Sequence, residues 1–259
     1  MDLEMLEFSE ARAFVAQYQH APASFGLSTS WQGNVCQLLA PKLDVFMFNR
    51  LIGTDWSGDW ESLLLPYQQA GLQKYGIQVA PSLLTTELKN RIEAAGLEHR
   101  SNWVKMYRRA GDAPDVYTPF RIERIDSRHA AHFAEVVTLG FQMPAFLRPW
   151  VANLVGIPGW VSYLAFKDNT PVGAGALYTQ GEVGWLGLGC TLPEHRNQGS
   201  QGAIMRTRIR DAHDLGCQWV VVETGEETPE HPNPSYHNMV RMGFKLAYSR
   251  MNFLARSIQ

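Results

Sequence analysis

The chain has 259 residues, 45% of them hydrophobic and 19% charged, with a formal net charge of −2, the balance of a soluble globular protein with a sizeable core. That charge gives no global argument for nucleic acid or an anionic membrane as partner, no apolar run is long enough to span a bilayer, and the acidic start MDLEMLEFSE lacks the regions of a secretory signal. Cys36, Cys190 and Cys217 are odd in number and lack CxxC spacing, so they read as reduced thiols of a cytoplasmic protein.

In the first half, Glu61 to Gly71 reads as helix, Tyr75 to Ala80 as strand and Ser82 to Ala95 as helix again. The stretch AGLEHRSNWVKMYRR (95–109) mirrors RMGFKLAYSRMNFLAR (241–256): each runs from a helix end through Gly and a large apolar residue into an alternating strand. The echo suggests duplication. Trp31, Trp56, Trp60 and Trp103 read as core and domain interface rather than a base-stacking surface. A break falls at AGDAPDVYTP, residues 110 to 119, where Gly, Pro and Asp collect.

Beyond it, FRIERI (120–125) alternates as a half-buried strand does, and Ser127 is placed to cap a helix carrying Phe133, Ala134 and Val137. A second helical stretch follows Pro144. WVSYLAF, the turn KDNTP and VGAGALY (160–178) make a strand–turn–strand. VGWLGLG (183–189) adds a third strand, and a helix runs from about Gly199 to Leu215. WVVV (219–222) has the pattern of a strand buried on both faces. A Glu- and Pro-rich loop leads to a short helix around Ser235 to Met242, ended by Gly243, and Lys245 to Leu254 alternates as a last strand.

CTLPEHRNQGSQGAI (190–204) lies between a strand and a helix that begins inside it. A helix N-terminus presents unpaired N–H groups and partial positive charge, so it favours anions. Spacing alone leaves a phosphate cradle and a plain tight turn equally open. No Gly-Lys-Ser/Thr follows, and GxGxxG is absent, so it is neither a P-loop nor a dinucleotide fingerprint.

Arg196-x-x-Gly199-x-Gln201-Gly202-Ala203 resembles the Gln/Arg-x-x-Gly-x-Gly/Ala signature of the GNAT superfamily, the acyl-CoA-dependent N-acetyltransferases. Thr-Leu-Pro-Glu-His before it resembles the family's lead-in, and Met242-Gly243-Phe244 its Gly-Phe exit. Gln201 departs from the pattern, standing where the family has a small residue. The resemblance implies an α/β GNAT fold, a mixed central sheet flanked by helices. It implies a tandem arrangement, with a degenerate copy at residues 1–116 and a GNAT acetyltransferase domain at 117–259. At the position matching the signature, the first half has LIGTDWSGDWESL, without Arg-x-x-Gly.

By the same resemblance, acetyl-CoA is the co-substrate; His231, His237 and the nearby glutamates lack the spacing of zinc motifs, so no metal is expected. The backbone of Leu188, Gly189, Cys190 and Thr191 pairs with the pantetheine arm, while the pyrophosphate is cradled at Arg196, Asn197, Gln198, Gly199, Ser200, Gln201, Gly202 and Ala203. The strand at Trp219 splays from its neighbour to admit the thioester. The family's usual acid position is Met239 here, so Tyr236, one turn earlier, is the candidate acid, with His237 as fallback. Glu223 is the candidate base, ahead of Glu226 and Glu227. Asn238 is a candidate contact to the cofactor arm. Arg206, Arg208 and Arg210 either reach the 3′-phosphate or form a solvated helix face. The implied activity is direct acetyl transfer to a primary amine of a small molecule, by a chain that can form a homodimer. The alternatives are a non-catalytic acyl-CoA-binding module, and an acetyltransferase of protein or aminoacyl acceptors.

Overall fold

The computed structural model describes residues 1–256; the last three positions of the expected second domain lie outside the described residues. The chain divides into two compact units interleaved along the sequence. The first comprises Met1–Lys105, Thr224–Asn233 and the C-terminal segment from Leu246; the second comprises Met106–Glu223 and Pro234–Lys245. The chain passes between the units at 105/106, 223/224, 233/234 and 245/246, so position 116/117 lies inside the second unit.

The first unit opens with α1 (Leu3–Gln19), capped by the Asp2 carboxylate on the Met5 N–H. It continues through β1 (Ser28–Gln32), β2 (Val35–Leu39), β3 (Arg50–Gly53), α2 (Leu65–Gln69), β4 (Gly76–Val79), α3 (Thr86–Ala94) and β5 (Leu97–Arg109), whose last four residues belong to the second unit. Its strand order is β1-β2-β3-β4-β11-β5, where β11 is Lys245–Ala255 at the far end of the chain. β3 and β4 are parallel, and β11 runs antiparallel to β4 with Met251 opposite Val79 and Leu254 opposite Gly76. The echo between 95–109 and 241–256 is thus structural: in each, a helix ends, a glycine takes a positive φ (Gly96, 72°; Gly243, 80°), and a long strand follows. Trp56 and Trp60 meet edge to face at 5.7 Å in the apolar core with Leu51, Tyr67, Ile77 and Phe253. Trp31 departs from the expectation of burial: it stands on an edge strand, 42% exposed, against Phe8.

α1 buries acid. Glu7 and Glu10, one turn apart, are fully buried beside Arg50, Lys105 and Arg250. Glu10 pairs with all three cations, and Glu7 pairs with Arg250 and accepts from the Tyr248 hydroxyl. Such a cluster is tolerated because every charge has an opposite charge in hydrogen-bonding range.

The second unit contains β6 (Arg121–Ile125), α4 (Ala130–Gly140), α5 (Arg148–Ala152), β7 (Trp160–Lys167), β8 (Thr170–Gln180), β9 (Val183–Thr191), α6 (Ser200–Asp214), β10 (Trp219–Gly225) and α7 (Pro234–Arg241). The cap before α4 is Asp126, accepting from the Arg128 N–H, rather than Ser127, which starts a short 3-10 turn. The strand order is β10-β9-β8-β7-β6, antiparallel except for the parallel β10–β9 pair. Among the described residues, no helix is long and apolar enough to cross a membrane, and no group of three metal-ligating side chains occurs.

Candidate active site

Among the described residues, strands β9 and β10 are paired at Trp219↔Val183, Val220↔Gly184 and Val221↔Trp185 and nowhere else. Beyond Trp185 the two strands run on, β9 to Thr191 and β10 to Gly225, without a shared register. This is the splay expected at the strand beginning at Trp219. On its other side β9 is bulged: Ala176 is opposite Gly187 and Ala174 is opposite Cys190, so Leu188 and Gly189 have no register partner on β8. Leu188 takes φ 54°, a left-handed conformation costly for a branched side chain.

The bulge fixes the direction of a donor. The carbonyls of Gly187 and Ala176 both accept from Arg208 Nη1, at 3.0 and 3.1 Å, which places the Gly187 carbonyl on the β8 side of the strand. In a trans peptide the next N–H points the opposite way. The Leu188 N–H is therefore aimed toward the β10 side, where the ladder has already ended. A backbone donor that no neighbouring strand receives needs another partner.

The turn after β9 is shaped by two left-handed residues, Asn197 (φ 62°) and Gly199 (φ 81°), the latter serving as N-cap of α6. The first intrahelical bond is Ala203 N–H to the Gly199 carbonyl, so the amides of Ser200, Gln201 and Gly202 precede any helical acceptor. Arg196 Nε donates to the Thr191 carbonyl at 3.3 Å, tying the cation to the end of β9. The segment before β6 braces the turn: Thr118 Oγ1 donates to the Gln198 carbonyl at 2.8 Å, and a side chain at Gly199 would run into the Tyr117 carbonyl.

Two side chains of the turn face the sheet rather than an anion. The Ser200 side chain is buried beside Gly173. Gln201, the departure from the family pattern, donates through Nε2 to the carbonyls of Cys190 and Ala174 and to Thr191 Oγ1. Its Oε1 lies where a side chain at Gly189 would stand, 2.9 Å from a Cβ there. Gln201 thus fastens the start of α6 to the bulged end of β9, and only its backbone remains for the cradle. Cys190 is buried with its thiol donating to the Val136 carbonyl, and burial pushes the thiol up to about 12, which makes it inert at neutral pH.

Of the three α6 arginines that the sequence leaves between the 3′-phosphate and a solvated helix face, Arg206 pairs with Asp115 at 2.6 Å. Arg208 points inward instead, its guanidinium among β8 and β9. Burial draws Arg208 down to about 10, which leaves it charged at pH 7. Sequence reasoning did not single it out for the core. The available signal was its place seven residues after Gln201, which puts both on one helix face, above the small residues of VGAGA.

Glu223 lies near the end of β10, half-buried, and accepts from Trp185 Nε1 at 3.0 Å. Tyr236 is half-buried on α7, with His237 exposed beside it and the two rings 5.8 Å apart. Asn238 Oδ1 accepts from Arg241 Nη1 at 2.9 Å, an in-helix bond that occupies its side-chain oxygen. Met239 is buried and serves the core. Glu226 and Glu227 belong to the first unit, where Glu226 accepts from Asn102 and Ser249, and Glu227 from the Asn233 N–H. Both carboxylates already have partners there.

The turn after β3 in the first unit is closed by an internal cation. After β3, Arg91 donates to the carbonyls of Trp56 and Gly58 and to both oxygens of Glu61, and its guanidinium stacks over Trp60 at 5.3 Å. This loop offers carbonyls already taken by an internal cation, where an anion site would offer N–H groups.

No protein-family model and no curated protein matches the sequence. Solved structures do. A GCN5-related N-acetyltransferase from Kribbella flavida superposes with TM-score 0.63 at 15% identity, covering 95% of each chain. One from Sphaerobacter thermophilus gives 0.60 at 13%, covering 88% of this chain and 86% of its own. A tandem GNAT protein from the clavulanic acid biosynthesis pathway gives 0.54 at 14%, covering 79% of this chain and 73% of its own. The chain has the GNAT fold, and at these identities the likeness establishes the fold alone.

Proposed function

We propose that this protein is an acetyl-CoA-dependent N-acetyltransferase that transfers an acetyl group directly to a primary amine. Residues 1–116 are read as a degenerate copy of the fold, and the chemistry is assigned to the second unit. The observation that carries the reading is the end of the β9–β10 ladder at Trp185↔Val221, immediately before the Leu188–Gly189 bulge and the Arg196–Ala203 turn. A splay, unpaired strand backbone and a helix N-terminus follow one another along a single strand, in the order thioester, pantetheine and pyrophosphate would need. The residues present fit the co-substrate.

In this reading the amides of the turn and Arg196 hold the pyrophosphate, and the backbone of Leu188 to Thr191 pairs with the pantetheine arm. The Leu188 N–H receives the thioester oxygen. Glu223, directly or through water, takes a proton from the acceptor ammonium. The amine nitrogen bonds to the carbonyl carbon and sheds its second proton to solvent, the C–S bond breaks, and the Tyr236 hydroxyl protonates the departing thiolate and is itself reprotonated from solvent. The acceptor is a small amine in a cytoplasmic setting, and no metal enters the scheme.

Met239 in the core, where the family places its acid, favours a second reading: a module that binds acyl-CoA without turnover. Calorimetry with CoA and a thiol-release assay over a panel of amines separates the two. Binding that weakens about tenfold or more in Arg196→Glu, with turnover on at least one amine, supports the enzyme. Binding with no turnover on any amine supports the module. CoA affinity unchanged in Arg196→Glu would sink the placement of the cradle.

A further inference from the structure

Arg208 is 2% exposed, and among the described residues its hydrogen-bond acceptors are two carbonyls at the bulge, those of Ala176 and Gly187. Among the described residues its Nε has no protein partner and no carboxylate lies within salt-bridge distance; the nearby Asp211 is engaged by the Tyr163 hydroxyl at 2.6 Å. The buried cations of the first unit have Glu7 and Glu10 beside them, and Arg208 has no equivalent. An uncompensated buried charge costs several kcal/mol. Two hydrogen bonds to carbonyls do not require an arginine, since a neutral amide donates as well.

We infer that Arg208 is a positioning residue of the acyl-transfer site, a buried cation behind the β9 bulge that holds the Leu188 N–H toward the splay and favours negative charge on the thioester oxygen. The inference rests on the function proposed above. The mechanism is local. Arg208 Nη1 binds the Gly187 carbonyl, which shares one peptide with the Leu188 N–H. Charge on one side of a peptide strengthens the donor on the other, because linked hydrogen bonds polarise one another. A donor fixed in advance and aimed at the developing charge is the arrangement that lowers an acyl-transfer barrier most effectively. Gln201 secures the adjacent carbonyls of Cys190 and Ala174 from the same helix face, so the bulge is held at both ends.

The test uses the full chain and Arg208→Met, which keeps apolar volume and removes the charge. Replacing a lone buried charge by a hydrophobe is often neutral or stabilising, so the melting temperature is expected to hold or rise. Activity is expected to fall by about 10²-fold in kcat, as when one oxyanion donor is lost, with KM for acetyl-CoA within about threefold. The decisive readout needs no turnover: the 13C signal of acetyl-CoA labelled at the thioester carbonyl. It moves downfield on binding to the wild type, and in Arg208→Met it returns most of the way to the free position. Arg208→Gln, which keeps N–H donors without the charge, carries the same test should the methionine variant not fold. An unchanged 13C shift in a folded variant, or a melting temperature that falls in step with kcat, would overturn the inference. A wild type that turns over while its variant keeps the full shift refutes Arg208 alone. A wild type that leaves the signal unmoved refutes the site itself.

Discussion

The indole N–H of Trp185 donates to Glu223 Oε1 at 3.0 Å, joining the last paired residue of β9 to the carboxylate on β10 just past the point where the ladder opens. Trp185 is itself buried, edge to face with Trp160 at 6.1 Å, so the donor is fixed in place. Trp185→Phe keeps an aromatic ring at the site, though a smaller one, and deletes the hydrogen bond. A hydrogen bond to a charged group contributes about 1.5–3 kcal/mol, and without it the carboxylate loses the donor that orients it. kcat should therefore fall by about tenfold or more, with KM for acetyl-CoA nearly unchanged. A kcat equal to that of the wild type would remove Glu223 from the role of base.

Gly199 and Arg196 share one turn but should fail differently when replaced. Gly199 has φ 81° and the Tyr117 carbonyl against it. Gly199→Ala therefore incurs about 1–3 kcal/mol of backbone strain and should lower the melting temperature by roughly 5–10 °C along with CoA binding. Arg196→Glu meets no such obstacle and should change CoA affinity alone. Scanning calorimetry of the two variants without ligand decides this: equal melting temperatures would mean that the brace from residues 115 to 118 carries no weight.

The buried cluster of the first unit makes stability depend on pH. Burial pushes the Glu10 carboxyl up, but Arg250, Arg50 and Lys105 together outweigh it and hold it well below the usual carboxylate range. A depressed carboxyl contributes stability above its unfolded value, about 4.3, and loses it as pH falls toward the folded value. Acid denaturation should therefore begin below about pH 4.3. Glu10→Gln leaves three buried cations short of charge and should cost about 3–5 kcal/mol at pH 7. Its denaturation midpoint should also depend less on pH between 5 and 3, a range set by the carboxylate's ordinary titration. Equal urea midpoints for variant and wild type at pH 7 would contradict this.

The uneven legibility of this fold has physical causes. β7, β8 and β9 follow one another through short turns, and their alternation and the glycine-marked turn at Arg196 are local signals. α1 is hard to recognise from sequence: LEMLEFSEARAFVAQYQ carries three glutamates and resembles a solvated face, because a buried acid is recognisable only once Arg50, Lys105 and Arg250 arrive from distant strands. The placement of β11 beside β4 links residues more than 170 positions apart, as in the Gln78–Asn252 bond, and no periodicity encodes it. Gln201 looked anomalous in a signature of small residues. Its partners are carbonyls freed by a bulge, and a bulge is a property of paired strands rather than of either sequence.

Tyr236 is the last residue whose role an experiment can isolate. It is half-buried on α7 and three residues before the buried Met239, so the helix turns the two side chains to one broad side. If its hydroxyl protonates the departing thiolate, Tyr236→Phe removes a general acid worth about 10²–10⁴ in rate and leaves KM for acetyl-CoA within about threefold, since the ring persists. The loss should shrink with an acyl thioester of a more acidic thiol, whose leaving group needs no proton. A phenylalanine variant equally impaired with both donors would assign Tyr236 to packing, and one that matches the wild type with both would leave proton delivery to solvent or to His237.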